Sequence, residues 1–324
     1  MTHFDVFNGD ADGICALQQL RLASPLDSSL ITGVKRDIEL LARVPAQDGD
    51  HVTVLDISLD RNRNALLALL ERGAHVEYFD HHFAGDIPQS DRLRATIETA
   101  PDVCTSLLVD RHLAGRHRLW AIVAAFGDNL SQVGYGLGQS SGLAAARIHQ
   151  LRDLGESINY NAYGDSEADL FIPPAKLYEA LRPFDSPFDF IAGHPVVEAL
   201  AAGRRRDMEL ALEVQPVAVN SGGAAYLLPD VPWARRVHGT FANHLAKGFP
   251  GRAHAVLTMN AQGNYTVSVR APLDSPSGAD LLCRQFATGG GRVAAAGINE
   301  LPVERLPEFT RKFDAAFPSM AAIR

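Results

Sequence analysis

The chain reads as an α/β protein: a mostly parallel sheet flanked by helices, followed by a smaller C-terminal α/β unit. Three observations predict this. Strand-like and helix-like runs alternate through the first half, carboxylate and imidazole clusters stand where apolar runs end, and the last third turns to a hairpin pattern after a charged, turn-rich stretch. At 324 residues there is room for about two domains, each with its own core.

The elements follow in order. Phe4-Asp5-Val6-Phe7 reads as a buried strand that delivers the turn Asp10-Ala11-Asp12-Gly13, ahead of a helix from about Ile14 to Leu22. A strand is expected around Leu30 to Val34. His51-Val52-Thr53-Val54-Leu55 closes on Asp56; Arg61 to Glu71 then carries Ala65, Leu66, Leu69 and Leu70 at helical spacing, and Gly73 stops that helix. His75-Val76-Glu77-Tyr78-Phe79 closes on Asp80-His81-His82. The stretch from Leu119 to Phe126 is apolar without alternation, so it reads as a helix, and it ends at Asp128. Gly134, Gly136 and Gly138 read as a mobile loop.

From Ser140 to Leu212 the pattern is mostly helical, broken by Pro173-Pro174, Pro183, Pro187 and Pro195. A first domain over residues 1–200, a connection over 201–222 and a second domain over 223–324 are expected, with Arg204-Arg205-Arg206 as a solvated face of the connection. In the second domain a helix from about Trp233 to Ala246 precedes strands Ala253 to Met259 and Tyr265 to Arg270, joined by Asn260-Ala261-Gln262-Gly263-Asn264. A helix from Ala279 to Phe286 follows, and then a glycine loop, Gly289-Gly290-Gly291, with Arg292.

Composition narrows the function classes. The chain is 46% hydrophobic and 21% charged, with no run near the ~18 apolar residues of a membrane span and no basic-then-apolar leader pattern, which points to a cytoplasmic protein. Cys15, Cys104 and Cys283 lie in apolar context without paired spacing, as core thiols do. A net charge of −8 disfavours a long duplex nucleic acid partner, while a short phosphorylated substrate steered by local arginines stays allowed.

A lone Asp at a strand end is usually a turn residue or a helix cap. Four clusters at the ends of successive apolar runs are a different matter. They concentrate negative charge that repels itself unless cations sit among it, and carboxylates mixed with imidazole suit Mn²⁺, with Mg²⁺ as a substitute.

Asp-x-Asp, a strand-end Asp, Asp-His-His and a later Gly-Asp, followed by a triple glycine near the C-terminus, resemble the motif series of the DHH phosphoesterase superfamily over nearly the whole chain. The resemblance implies that Asp56 bridges two Mn²⁺ ions, one also held by Asp12, His81 and Asp128 and the other by Asp10. It also implies that His82 sits near the scissile phosphate and that Asp80 orients a neighbouring ligand. One departure stands out. NanoRNase-like members place a His where this chain has Val6, and RecJ-like members an Asp where it has Asn8, a neutral oxygen donor, so the Asp10 ion is expected to be the weaker. In the C-terminal part, Arg270 on Val267-Ser268-Val269-Arg270 and the loop Gly289-Gly290-Gly291 match the superfamily's substrate-binding domain, with Arg292 in place of a His.

The reading is thus Mn²⁺-dependent hydrolysis of a phosphomonoester or phosphodiester in a small nucleotide or short oligonucleotide. Asp56, Asp80 and His82 would do the chemistry, Arg270, Arg292 and the glycines would hold a far phosphate, and the substrate would lie between the domains. No membrane partner is expected, and a homodimer is compatible with the sequence. The alternatives are a catalytically degenerate nucleotide-binding or regulatory protein and a RecJ-like single-strand exonuclease.

Overall fold

The computed structural model describes residues 1–220 and 222–318; Ser221 of the expected connection and residues 319–324 lie outside the described residues. The chain divides into two compact units, one ending at Ala202 and the other starting at Gly203. No described helix is long and apolar enough to cross a membrane.

The first unit opens with β1 (His3–Phe7), α1 (Ala11–Ala23), β2 (Ser29–Ile31), β3 (His51–Leu55), α2 (Leu59–Glu71), β4 (His75–Asp80) and β5 (Leu93–Ile97). Its five strands lie in the order β2-β1-β3-β4-β5, every pair parallel. Alternation along the strands sends Phe7, Leu55 and Phe79 to one core, with α1, and Val6, Val54 and Tyr78 to the other, with Leu59, Leu66 and Leu69 of α2. The register also stacks His3, His51 and His75 at the strands' N-terminal ends, neighbouring rings 5.2 Å apart. At the opposite, carboxyl end the chain leaves β1 and β3 in opposite directions across the sheet. In such doubly wound sheets this reversal is where a crevice opens.

Helices α3 (Thr105–His112), α4 (Arg118–Gly127), α5 (Ser131–Ser140), α6 (Ala145–Asn161), α7 (Pro174–Leu181) and α8 (Pro187–Gly193) complete this unit, and α9 (Pro195–Leu212) runs across its boundary. Here α4 and α6 meet backbone to backbone: a Cβ on Gly155 would stand 2.1 Å from the Val123 carbonyl oxygen. That close approach places the C-terminal end of α4, and so Asp128, beside α1.

Several expectations are corrected. Gly134, Gly136 and Gly138 do not form a loop; they lie in α5, where Gly134 and Gly138 face the Phe126 ring and Ile148. The segment 201–222 is helical as far as Leu212, so Arg204, Arg205 and Arg206 ride on α9. Strand β2 ends at Ile31, short of Val34, and β5 was not foreseen because Leu-Arg-Ala-Thr-Ile is a half-exposed edge strand with little apolar signal.

The second unit holds β6 (Ala218–Val219), β7 (Gly223–Leu227), α10 (Pro232–Gly248), β8 (Ala253–Met259), β9 (Tyr265–Arg270), α11 (Ala279–Cys283), β10 (Gly289–Gly291), β11 (Ala295–Leu301) and α12 (Leu306–Ala316). Its six strands run β10-β11-β9-β8-β7-β6. Ala253, Ala255 and Leu257 of β8 join Phe286, Phe309 and Phe313 in one core, while Tyr226 and Thr258 turn the other way to Phe241 and His238 of α10.

The expected glycine loop is instead a strand. Gly289, Gly290 and Gly291 pair antiparallel with Ile298, Gly297 and Ala296. The glycines answer to packing: a Cβ at residue 289 would fall 1.7 Å from the Cys283 carbonyl oxygen. All three cysteines are free and buried, as their apolar surroundings led us to expect.

Candidate metal centre

The turn after β1 is held by its own carboxylates. Asp10 caps α1, its Oδ1 accepting from the N–H groups of Asp12 (2.9 Å) and Gly13 (3.2 Å). Asp12, one residue into the helix, spends both oxygens on the start of α3: Oδ2 accepts from Thr105 N–H and Oδ1 from Ser106 N–H, each at 2.7 Å. The Thr105 hydroxyl donates to Asp56 Oδ1 at 3.2 Å. Asp56, just past β3, adopts a left-handed backbone with φ of 60°, which turns its side chain toward the same point.

His81 gathers these groups. Its Nδ1 lies 3.0 Å from the Val103 carbonyl, which can only accept, so Nδ1 carries the proton and Nε2 presents a lone pair. That Nε2 stands 3.4 Å from Asp56 Oδ1 and 4.0 Å from both Asp12 Oδ2 and Asp128 Oδ2. Two ligands bonded at about 2.1 Å to one ion lie roughly 3–4 Å apart, so three carboxylates and one imidazole with a fixed tautomer fit a first-row divalent ion here. Asp56, His81 and His82 also offer ligand atoms within 4.8 Å of one another.

The electrostatics report the same crowding. Burial, then the charges of Asp12, Asp10, Asp128 and Asp80, push the Asp56 carboxyl well above the ordinary carboxylate range. Burial also raises Asp128, only partly offset by Lys35. Asp10 goes the other way. Burial would raise it, but the charge and hydrogen bond of Lys35, with the Gly13 N–H, leave it below the usual value.

Lys35, which belongs to none of the sequence motifs, is the main surprise of the site. Its Nζ donates to Asp10 Oδ2 at 2.5 Å and to Asn159 Oδ1 at 2.9 Å, and lies 3.9 Å from Asp128 Oδ1. It follows β2, which pairs with β1, so the sheet order brings it beside Asp10. Asn8 faces the backbone rather than the pocket: its Oδ1 accepts from Asp10 N–H at 3.2 Å and its Nδ2 donates to the Lys35 carbonyl at 3.3 Å. Val6 is buried in the core under α2. Neither Val6 nor Asn8 therefore offers a side-chain ligand beside Asp10, where the Lys35 ammonium stands.

His82 is half exposed, and its Nδ1 donates to the buried Asp80 at 2.7 Å. Burial would lower the imidazole pKa, but the Asp80 hydrogen bond and charge, with Asp128 and Asp12, raise it above its usual value. Asp80 thus orients His82. In the second unit, Arg270 donates to Asn243 Oδ1 (2.8 Å), Ser268 Oγ (3.0 Å) and the Val269 carbonyl (3.1 Å), while Arg292 is exposed at the turn between β10 and β11.

A doubly wound sheet with an acid-rich, imidazole-bearing pocket at its reversal point defines the class, and solved structures share the whole fold. A manganese-bound exonuclease RecJ aligns over 100% of this chain and 92% of its own, with TM-score 0.65 and 18% identity. RecJ from Thermus thermophilus with Mn²⁺ aligns over 98% of this chain and 52% of its own (TM-score 0.65, 19% identity). The pGpG-specific phosphodiesterase PggH from Vibrio cholerae aligns over 96% and 99% (TM-score 0.54, 15% identity). No protein-family profile matches the chain, and neither does any curated protein sequence. The chain has the fold of these proteins.

Proposed function

We propose that this chain is a divalent-metal-dependent phosphoesterase of the DHH superfamily, acting on a small nucleotide or short oligonucleotide. One observation carries the reading: Asp12, Asp56 and Asp128, from three separate elements, converge on the free Nε2 of His81 at the carboxyl ends of β1 and β3. RecJ structures that share the fold hold manganese or magnesium, and PggH is named for pGpG, which supports a metal and a short phosphorylated substrate without fixing either.

In this reading Asp12, Asp56, His81 and Asp128 hold the ion, Mn²⁺ or Mg²⁺. Bound there, it would supply Lewis acidity for a phosphoryl oxygen and for the attacking water. His82, with its proton stabilised by Asp80, donates a hydrogen bond to the phosphate or its leaving oxygen. Arg292 remains a candidate contact for a second phosphate. Arg270, already satisfied by Asn243 and Ser268, would hold that strand end rather than bind directly, and the strand Gly289–Gly291 offers only edge N–H groups.

The test is a hydrolysis panel with Mn²⁺ or Mg²⁺ spanning a nucleotide with 3′ and 5′ phosphates, linear dinucleotides, pentanucleotides, single-stranded DNA and pyrophosphate. Turnover of the short substrates supports the reading. Processive degradation of DNA tens of nucleotides long moves it to an exonuclease. A second reading, a phosphate-binding protein without turnover, draws on Lys35 occupying the Asp10 side; nucleotide binding with no hydrolysis under either ion would favour it.

A further inference from the structure

Lys35 is fixed along its whole length. Its N–H donates to the Ala162 carbonyl at 2.9 Å, its own carbonyl accepts from Asn8 at 3.3 Å, and its ammonium is shared between Asp10 and Asn159 with the Tyr163 ring 5.6 Å away. This is a built position with partners from the turn after β1, α6 and the segment after α6, not a surface lysine that has swung inward. Asp10 has one oxygen committed to capping α1 and the other to this ammonium.

From these contacts we infer that the Lys35 ammonium is the resident cation of the Asp10 side, so the pocket takes one divalent ion rather than a pair; this rests on the metal-site reading above. Charge makes the case. Asp10, Asp12, Asp56 and Asp128 bring four negative charges, which one ammonium and one dication largely neutralise. A second dication near Asp10 would meet the ammonium at ligand distance, and two cations so close in a partly buried pocket repel strongly. Asn8 reinforces the arrangement: where an anionic residue would have recruited metal, its neutral amide instead ties the Lys35 backbone to the Asp10 turn. Ammonium and ion thus divide the acidic pocket between them, Asp10 going to the first and Asp12, Asp56, His81 and Asp128 to the second.

The experiment counts ions without reference to turnover. The full chain, stripped with chelator, is titrated with Mn²⁺ by calorimetry and by electron paramagnetic resonance, alongside the Lys35→Gln/Asn8→Asp double variant. The wild type is expected to bind one ion with the signal of an isolated Mn²⁺. The double variant is expected to bind two, with the broadened signal of an exchange-coupled pair. Two coupled ions in the wild type would overturn the role of Lys35 and leave the metal site standing. No ion in the wild type would overturn both. A double variant that melts like the wild type yet stays at one ion would also overturn it. The wild-type count decides the matter even if the variant does not fold.

Discussion

Thr105 fastens Asp12 through its backbone N–H at 2.7 Å and reaches Asp56 through its hydroxyl at 3.2 Å, so one residue at the start of α3 sets the spacing of two carboxylates, one in α1 and one just past β3. Such supports fix ligand geometry, and losing one typically costs about 10–100-fold in metal affinity. Thr105→Val keeps the volume and the N–H but removes the hydroxyl. Its affinity for Mn²⁺ should fall by about tenfold with secondary structure unchanged, as read by titration; unchanged affinity would show that the hydroxyl contact is idle.

Asp56 and His82 should separate on two measurements. Asp56→Asn weakens the ion and the stabilisation of developing charge together, so turnover should drop at least ~10²-fold with a parallel loss of bound metal. His82→Ala should keep its metal and lose turnover, because the half-exposed imidazole commits its Nδ1 to Asp80 at 2.7 Å and only skirts the carboxylates, with Asp56 Oδ1 at 4.0 Å. A His82→Ala protein emptied of metal would reverse these roles.

Metal binding should depend on pH with a definite sign. Burial and neighbouring charges hold the Asp56 carboxyl well above its ordinary value in the metal-free fold, so an ion competes there with a proton that persists to higher pH than on an exposed carboxylate. Affinity for Mn²⁺ is therefore expected to rise with pH, with proton release detectable by calorimetry in buffers of different ionisation enthalpy. The same shift makes the metal-free fold lose stability as pH rises through the range where Asp56 ionises.

The second unit should respond to acid in the opposite sense. His254 is buried in β8 and burial pushes its imidazole down to about 4 from 6.5, so the fold prefers it neutral. Its contribution is fully present above pH 6.5 and lost as pH falls toward 4, at most about 3 kcal/mol at 1.36 kcal/mol per pH unit. His254→Leu should flatten the acid limb of a melting curve followed from pH 7 to pH 4. A curve that falls as steeply as the wild type would place the acid sensitivity elsewhere.

What the sequence made legible were the strand ends. Short apolar runs closing on Asp10, Asp56 and Asp80 carry their own signal, because buried strands are apolar on both faces and their ends must turn polar. Asp128 was legible for the same reason at the end of a helix. Lys35, Thr105, Ser106 and Asn159 were not, since they act only through contacts between distant segments. Lys35 did leave a trace. It is the first cation after a strand expected to lie in the same parallel sheet. The Gly289–Gly291 run misled because a glycine required by close strand packing looks the same in one dimension as a glycine required by an anion-binding loop.

The left-handed backbone at Asp56 ties the pocket to the economy of the whole fold. A side chain in that conformation costs about 1 kcal/mol or more, and a crowded carboxylate adds to it, so the position is held against the interest of stability. Glycine would sit there without strain and without charge. Asp56→Gly is therefore a change that selection for a sturdier metal-free protein would favour and selection for the pocket would forbid. An acidic residue in this left-handed turn is thus what the proposed metal site requires and what the stability of the metal-free fold alone would not select.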